Sequence, residues 1–129
     1  MRGRDFLDIV GVLKPVESEA SLRTRVGRMY YAAYLEARGW CEIHLGYQRV
    51  KLGREPADVQ RMLAAIDSDI ADNLAFLRGY RNTADYDLNV SSETLLMQHA
   101  DALDRVNVVI GLLETLEPPL SEPESTPEP

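Results

Sequence analysis

"SEASLRTRVGRMYYAAYLEARGWCEIHL", residues 18–45, contains the pattern that decides the fold. Its apolar positions recur at steps of three and four residues, which is the spacing of one helical face. They are Leu22, Val26, Met29 or Tyr30, Ala33 and Tyr34. Ser18 or Ser21 is a suitable N-cap, and Gly46 is a plausible stop. The stretch therefore predicts one long helix, the second of the chain.

The segments on either side predict four more helices. Pro15 ends the first, Pro56 lies in the first turn of the third, and Asp67, Ser68 or Asp69 caps the fourth. Their apolar faces are Phe6, Ile9, Val10 and Leu13; Val59, Met62, Leu63 and Ile66; and Ile70, Leu74 and Leu77. A fifth helix follows Ser91 or Ser92 and runs over residues 93–116. Its inward positions are Leu95, Leu96, His99, Leu103, Val106, Ile110 and Leu113.

The predicted fold class is all-α. No segment alternates with a period of two over a useful length, and residues 46–56 form the only substantial loop. Short connections favour neighbouring helices that run in opposite directions. We therefore expect an up-and-down antiparallel bundle of four to five helices.

Charge divides the chain into a body and a tail. The net charge is −7, but the sixteen residues from Glu114 hold five acids and no base, which leaves 14 bases and 16 acids elsewhere. The 129 residues suffice for one domain, expected over residues 1–116. Residues 117–129, rich in Pro and Glu, are expected to be disordered. Twelve of the bases are Arg, whose planar fork of donors suits phosphate and carboxylate.

Several classes of protein and site are disfavoured. Cys41 is the only cysteine, and no apolar run approaches a membrane span or a signal peptide, so we expect a cytoplasmic protein without membrane contact. The glycines stand singly, which argues against a phosphate-binding loop. Asp67, Asp69 and Asp72 are better explained as caps and first-turn acids than as metal ligands. We expect neither a metal nor a cofactor.

"LRGYRNTADYDL", residues 77–88, concentrates polar chemistry where the fourth helix ends. The long second helix offers a matching row: Arg25, Arg28, Tyr30, Tyr31, Tyr34 and Arg38. In one interpretation, the tyrosine rings pack at the rim of the core and the arginines pair with Asp85, Asp87 and Glu36. In the other, the two rows face each other and form a ligand pocket.

These two stretches resemble the HEPN superfamily, small helical bundles named for higher eukaryotes and prokaryotes nucleotide-binding domains. The resemblance rests on Arg28, Tyr30 and Tyr31 in "GRMYYAAYLEAR" and on an Arg followed by Ala-Asp-Tyr in "RNTADYD". Many members are metal-independent endoribonucleases, often toxins or defence effectors, whose active site forms between two protomers. The resemblance thus implies a homodimer, an RNA or nucleotide ligand, and an antitoxin partner such as a minimal nucleotidyltransferase.

The motif that the resemblance implies is incomplete. Arg81 and Asn82 match its Arg and polar neighbour, but four residues beyond Asn82 stands Tyr86 instead of His. A Tyr hydroxyl, with a pKa near 10, is a poor base at neutral pH compared with an imidazole. Of the two histidines, His99 lies among leucines and is expected to be structural, and His44 has no better claim to catalysis.

Three hypotheses follow. The first is a binding or regulatory HEPN-like homodimer for RNA, a nucleotide or a partner protein, in a toxin–antitoxin or defence system, with catalysis weak or lost. The alternative is an active endoribonuclease in which Tyr86 or a remote His replaces the motif histidine, and the third is a plain assembly subunit. The candidate catalytic residues are Arg81, Asn82 and Tyr86, and the candidate ligand-binding residues are Arg28, Tyr31, Arg78 and Asp85.

Overall fold

The computed structural model describes residues 1–49 and 55–119. A 3-10 turn over Gly3–Phe6 precedes five α-helices. They are α1 (Leu7–Leu13), α2 (Glu19–His44), α3 (Glu55–Ala64), α4 (Ser68–Tyr86) and α5 (Ser92–Thr115). The described ranges contain no strand, so the predicted all-α class and the five helices are confirmed. Of the predicted loop, residues 50–54 lie outside these ranges, as do residues 120–129 of the predicted tail.

Side-chain caps set the starts of the three long helices. The Ser18 side chain accepts from the Ser21 amide at α2, Asp67 accepts from Asp69 at α4, and Ser91 accepts from Thr94 at α5. Each cap satisfies an amide that has no partner within its helix. After α2 the chain passes through Gly46 at a φ of 68°, a left-handed conformation that glycine adopts without strain. The predicted boundaries of α2 are therefore close to the observed ones.

The long helices pack with α4 antiparallel to both α2 and α5. Arg23 near the start of α2 donates to the carbonyl of Ala84 near the end of α4, at 2.9 Å. Along α5, Tyr80 of α4 donates to Asp101, whereas the earlier Asn73 accepts from the later Arg105 at 3.0 Å. As a result α2 and α5 run in the same direction, and the end of α4 lies beside the first half of α2.

The core forms where α2, α4 and α5 meet, around fully buried side chains such as Met29, Leu77 and Val106. For α5 and α1, the sequence predicted a wider buried face than the structure has. Leu96 and Leu103 of α5 are 59% and 38% exposed, while Ala102 and Val109 are buried in their place. In α1, Ile9 is 43% exposed. Each helix turns only a narrow stripe toward its neighbours, so apolar residues beside that stripe remain at the surface.

The N-terminal segment lies directly on α2. A Cβ at Gly3 would stand 2.7 Å from the amide nitrogen of Glu36, so only glycine permits this approach. Arg4 fixes the segment with salt bridges of 3.1 Å to Glu36 and 2.9 Å to Glu114. This attachment holds the next aromatic residue, Phe6, against α2. Within the described ranges, no helix combines the length and the hydropathy that crossing a membrane requires.

Candidate functional site

A cleft of about 520 Å³ lies between the 3-10 turn, the first half of α2 and the end of α4. We call it the α2–α4 cleft. It is lined by Phe6, Thr24, Gly27, Arg28, Tyr31, Leu35, Arg81 and Asp85. Four of the seven residues predicted to form a site are therefore brought together here: Arg28, Tyr31, Arg81 and Asp85.

Arg81 organises the α4 side of the cleft. Its Nη2 donates to the Tyr31 hydroxyl at 3.0 Å, and its Nε lies 2.9 Å from Oδ2 of Asp85, one helical turn further on. Its guanidinium carbon is 5.3 Å from the centroid of the Tyr31 ring, within the range of a cation–π contact. A cation, a phenol and a carboxylate thus share one wall, and each is oriented by the others.

Arg28 supplies the second positive charge. It is half-buried, and its guanidinium carbon lies 5.7 Å from the centroid of the Phe6 ring. Within the described residues it has neither an ion pair nor a hydrogen bond from its side chain. The α2–α4 cleft therefore contains one cation with a carboxylate partner, Arg81, and one cation, Arg28, that has no such partner in residues 1–49 and 55–119.

Arg78 lies outside the lining of this cleft, although it was a candidate ligand-binding residue. It acts instead on Tyr30. Burial raises the pKa of the Tyr30 phenol, and the positive charges of Arg78 and Arg81 oppose that rise. Tyr30 is 4% exposed, and its ring centroid lies 5.5 Å from that of Tyr31.

Asn82 and Tyr86 point away from the cleft. Both are exposed, Tyr86 at 73%, and neither is among the residues that line it. The reason is helical geometry: each follows a cleft residue by one position, and one position turns the side chain by about 100° around the helix. Within one chain, the three candidate catalytic residues therefore do not converge, because only Arg81 faces the cleft.

The two histidines also lie elsewhere. His44 is exposed at the end of α2, with its ring 4.6 Å from the Trp40 ring. His99 is half-buried on α5, and its Nε2 is 3.2 Å from Nη1 of Arg25. Burial lowers the pKa of His99, and the charges of Arg25 and Lys14 lower it further. The described lining of the α2–α4 cleft thus contains no imidazole to accept a proton near neutral pH.

A second and larger cleft, of about 620 Å³, lies between the N-terminal segment and the end of α2. Three of its four arginines have carboxylate partners: Arg4 bonds Glu36 and Glu114, Arg38 bonds Glu55, and Arg49 bonds Glu42. The fourth, Arg2, has no ion pair among the described residues. Although this cleft is larger, its lining also carries the carboxylates of Glu36, Glu42 and Glu114, which would repel an anion. The α2–α4 cleft is therefore the better candidate for an anionic ligand.

Sequence reasoning missed two parts of the site. Phe6 was assigned to the apolar face of the first helix, yet it lines the cleft beneath Arg28. Thr24 and Gly27 follow the spacing of Arg28 and Tyr31 along one face of α2, so their helical position could have identified them. Nothing in the sequence indicated that the 3-10 turn would bring Phe6 there.

Metal binding finds no support in the parts of the chain that the structure describes. They hold no group of three or more His, Cys, Asp or Glu side chains placed to ligate an ion. Comparison with known proteins adds no identification, since no family model, no curated protein and no solved structure matches the chain.

Proposed function

We propose that this protein is a binding module whose α2–α4 cleft takes the phosphate of a nucleotide or of RNA. The observation that carries the proposal is the pair of guanidinium groups, from Arg28 on α2 and Arg81 on α4, at one cleft. Arginine forks match phosphate oxygens in geometry and charge. Arg28, which has no ion pair within the described part of the chain, supplies the attraction, and Arg81 with the Tyr31 hydroxyl supplies oriented donors.

The rest of the cleft suits a nucleotide. Its volume of about 520 Å³ falls within the usual range for small-molecule sites. The rings of Phe6 and Tyr31 lie 6.4 Å apart at their centroids and offer aromatic faces beside the cations. Bases stack on such faces with little regard to sequence. The proposal therefore joins phosphate recognition to aromatic contact with a base or sugar.

Catalysis in this proposal is weak or lost. Transfer of a proton from a ribose hydroxyl at neutral pH needs a base of suitable pKa within hydrogen-bond reach. The described cleft lining offers a phenol, from Tyr31, and a carboxylate, from Asp85, but no imidazole, the side chain best suited to this task. Tyr86 and both histidines lie outside that lining, so no single chain assembles the groups that the endoribonuclease alternative requires.

The proposal includes a homodimer. α4 and the turn after it expose three large apolar or aromatic side chains: Phe76 at 49%, Tyr86 at 73% and Leu88 at 78%. Such side chains are available for contact with a second protomer. The HEPN resemblance implies assembly through two protomers and a toxin–antitoxin or defence setting, and we include both in the proposal.

The test is binding of a mononucleotide and of a short RNA at low salt, in the presence of a chelator. Wild-type protein should bind at least one of them, with an affinity that falls as salt rises. The double variant Arg28→Gln with Arg81→Gln should bind at least about tenfold more weakly, because it loses two charge-assisted contacts. Arg61→Gln is the matched control, since the Arg61 side chain is 73% exposed on α3 and lies outside the cleft lining.

Two results would contradict the proposal. One is the absence of binding to both ligands at low salt, and the other is equal binding by the double variant and wild type. The same incubations test the alternative hypothesis, that the protein is an active endoribonuclease. RNA cleavage that persists with chelator and is abolished by Arg81→Ala would establish an endoribonuclease.

A further inference from the structure

A second basic cluster lies where the end of α1, the start of α2 and α5 meet. Its central residue is Arg25, only 7% exposed, whose Nη1 bonds Nε2 of His99 at 3.2 Å. The Nε of Arg25 is buried and has no hydrogen-bond partner among the residues that the structure describes. Within the described residues Arg25 forms no ion pair. A buried guanidinium normally has a carboxylate or several acceptors, so this one has unmet binding capacity.

The groups around Arg25 add positive charge. The Ser21 hydroxyl donates to the carbonyl of Leu13 at 3.0 Å, which ties the end of α1 to α2 one turn before Arg25. Lys14 follows Leu13 and is exposed. Arg25 and Lys14 are the charged groups that act on His99 and help to lower its pKa, and the adjacent α5 residues Leu96 and Leu103 carry no charge.

We propose that Lys14, Arg25 and His99 form an anion site that binds one phosphate group. A phosphate dianion has oxygens enough to accept from a guanidinium, an imidazolium and an ammonium at once. Its charge also offsets the repulsion that protonated His99 meets beside Arg25 and Lys14. Arg25 and His99 lie outside the lining of the α2–α4 cleft, so this inference does not depend on the proposed function.

In this proposal, phosphate binding favours protonation of His99, and protonation of His99 favours phosphate binding. Without an anion, His99 stays neutral so that its Nε2 can accept from Arg25. With phosphate bound, the imidazolium becomes a donor to the anion and the positive charges around it are compensated. By linkage, phosphate must then bind more tightly to the protonated form and must hold the proton on His99.

The two histidines of this chain provide the measurement and its control. The imidazole resonances of His99 and His44 are followed by NMR across pH, with and without saturating inorganic phosphate. We expect phosphate to make His99 about tenfold harder to deprotonate and to leave His44 unchanged. Repeating the titration on the Arg28→Gln, Arg81→Gln double variant should give the same His99 response, which excludes an effect relayed from the α2–α4 cleft.

Variants assign the residues. Arg25→Gln should abolish the response of His99 to phosphate. Because replacing a buried side chain can disturb the fold, Lys14→Gln, at an exposed position, is the second variant. It should leave the fold intact and raise the half-saturating phosphate concentration by roughly threefold, as expected for the loss of one partly screened charge. Arg61→Gln should have no effect.

The source of the phosphate is decided by a parallel titration with a nucleoside monophosphate. If it acts at concentrations about tenfold below those of inorganic phosphate, the group reaches this site on a nucleotide. Equal concentrations indicate that the phosphate alone is recognised. The proposal is overturned if neither compound moves the titration of His99, or if His99 and His44 respond alike.

Discussion

The α2–α4 cleft and the contact between α4 and α5 use the same kinds of side chain with different outcomes. We call the second region the α4–α5 network; it consists of Asn73, Phe76, Tyr80, Asp101 and Arg105. There Arg105 bonds Asp101 at 2.7 Å and Asn73 at 3.0 Å, while its guanidinium carbon lies 3.8 Å from the centroid of the Phe76 ring. Tyr80 donates to the same carboxylate.

In the network the cation, the phenol and the carboxylate are paired with one another. In the cleft, Tyr31, Arg81 and Asp85 form a similar group, but Arg28 adds a charge with no carboxylate partner among the described residues. Residue type alone therefore does not separate a binding site from a structural contact. What separates them is whether the charges already have partners.

The largest expected effect is a loss of nucleotide affinity when a cation of the cleft is removed. Arg28→Gln removes the cleft cation that has no carboxylate partner among the residues described. It should weaken nucleotide binding by about tenfold or more, since charge-assisted hydrogen bonds contribute roughly 1.5–3 kcal/mol. The melting temperature should hardly change, because no described side chain depends on Arg28 for a hydrogen bond. Calorimetric titration and thermal unfolding measure the two quantities. Unchanged affinity would mean that the cleft is as structural as the network.

The converse substitution tests the network. Arg105→Gln breaks the contact with Asp101 and weakens the stacking on Phe76, so the free energy of unfolding should fall by about 1–2 kcal/mol. Nucleotide affinity should stay the same, because Arg105 lies outside the cleft lining. Denaturant unfolding monitored by circular dichroism gives the stability. A loss of affinity without a loss of stability would reverse the roles assigned to the two regions.

Tyr31→Phe tests how much one hydroxyl group of the cleft contributes to nucleotide affinity. The change keeps the ring beside Arg81 and removes the acceptor at 3.0 Å, so the affinity for a nucleotide should fall by an amount equivalent to about 1 kcal/mol. Tyr86→Phe is the matched control and should leave affinity unchanged, because Tyr86 is 73% exposed outside the cleft lining. A larger loss in Tyr86→Phe than in Tyr31→Phe would move the site to the outer face of α4.

Asp85→Asn should act in the opposite direction from the other cleft variants. The Asp85 carboxylate competes with an incoming phosphate for Arg81 and repels it, and the amide does neither as strongly. We expect nucleotide affinity to rise by about threefold, a surface-charge effect of less than about 1 kcal/mol. The same titration at two salt concentrations checks it. Weaker binding in Asp85→Asn would show that the carboxylate itself contacts the ligand.

The smallest expected effect is acid sensitivity of the network. The hydrogen bonds from Tyr80 and Arg105 hold the pKa of Asp101 below its usual 3.8. The folded state therefore gains stability from ionised Asp101 above about pH 4, and it loses this contribution as the pH falls through the lowered pKa. Because the Asp101 side chain is 40% exposed, the contribution should be only roughly 0.5 kcal/mol. Unfolding at pH 2–5 should show it in wild type but not in Asp101→Asn.

The helices were predictable because their signals are local. The Ser18, Asp67 and Ser91 caps and the three- and four-residue spacing act within one or two turns of chain, and the structure has these helices and caps. The width of each buried face was not predictable. Leu96 and Leu103 have the same apolar character as Leu95, and only the positions of the neighbouring helices decide that Leu95 is buried and the other two are exposed.

The sequence also could not show which polar side chains face the cleft or become buried. The chain order identified Tyr31, Arg81 and Asp85 as candidates but could not separate them from Asn82 and Tyr86, which differ from cleft residues by one position. It also gave no sign that Arg25 would be 7% exposed against His99. Charged side chains are usually at the surface, so burial of one is a property of the assembled fold.

Caps and periodicity depend on near neighbours, so the helices and the Arg- and Tyr-rich segments of α2 and α4 could be read from the sequence. Which of those side chains meet depends on how the helices pack. The antiparallel packing of α4 on α2 places Arg81 against Tyr31, residues fifty positions apart, and the 3-10 turn closes the cleft with Phe6. Pairing across that distance depends on which faces the core buries, and the core is a property of all the helices together.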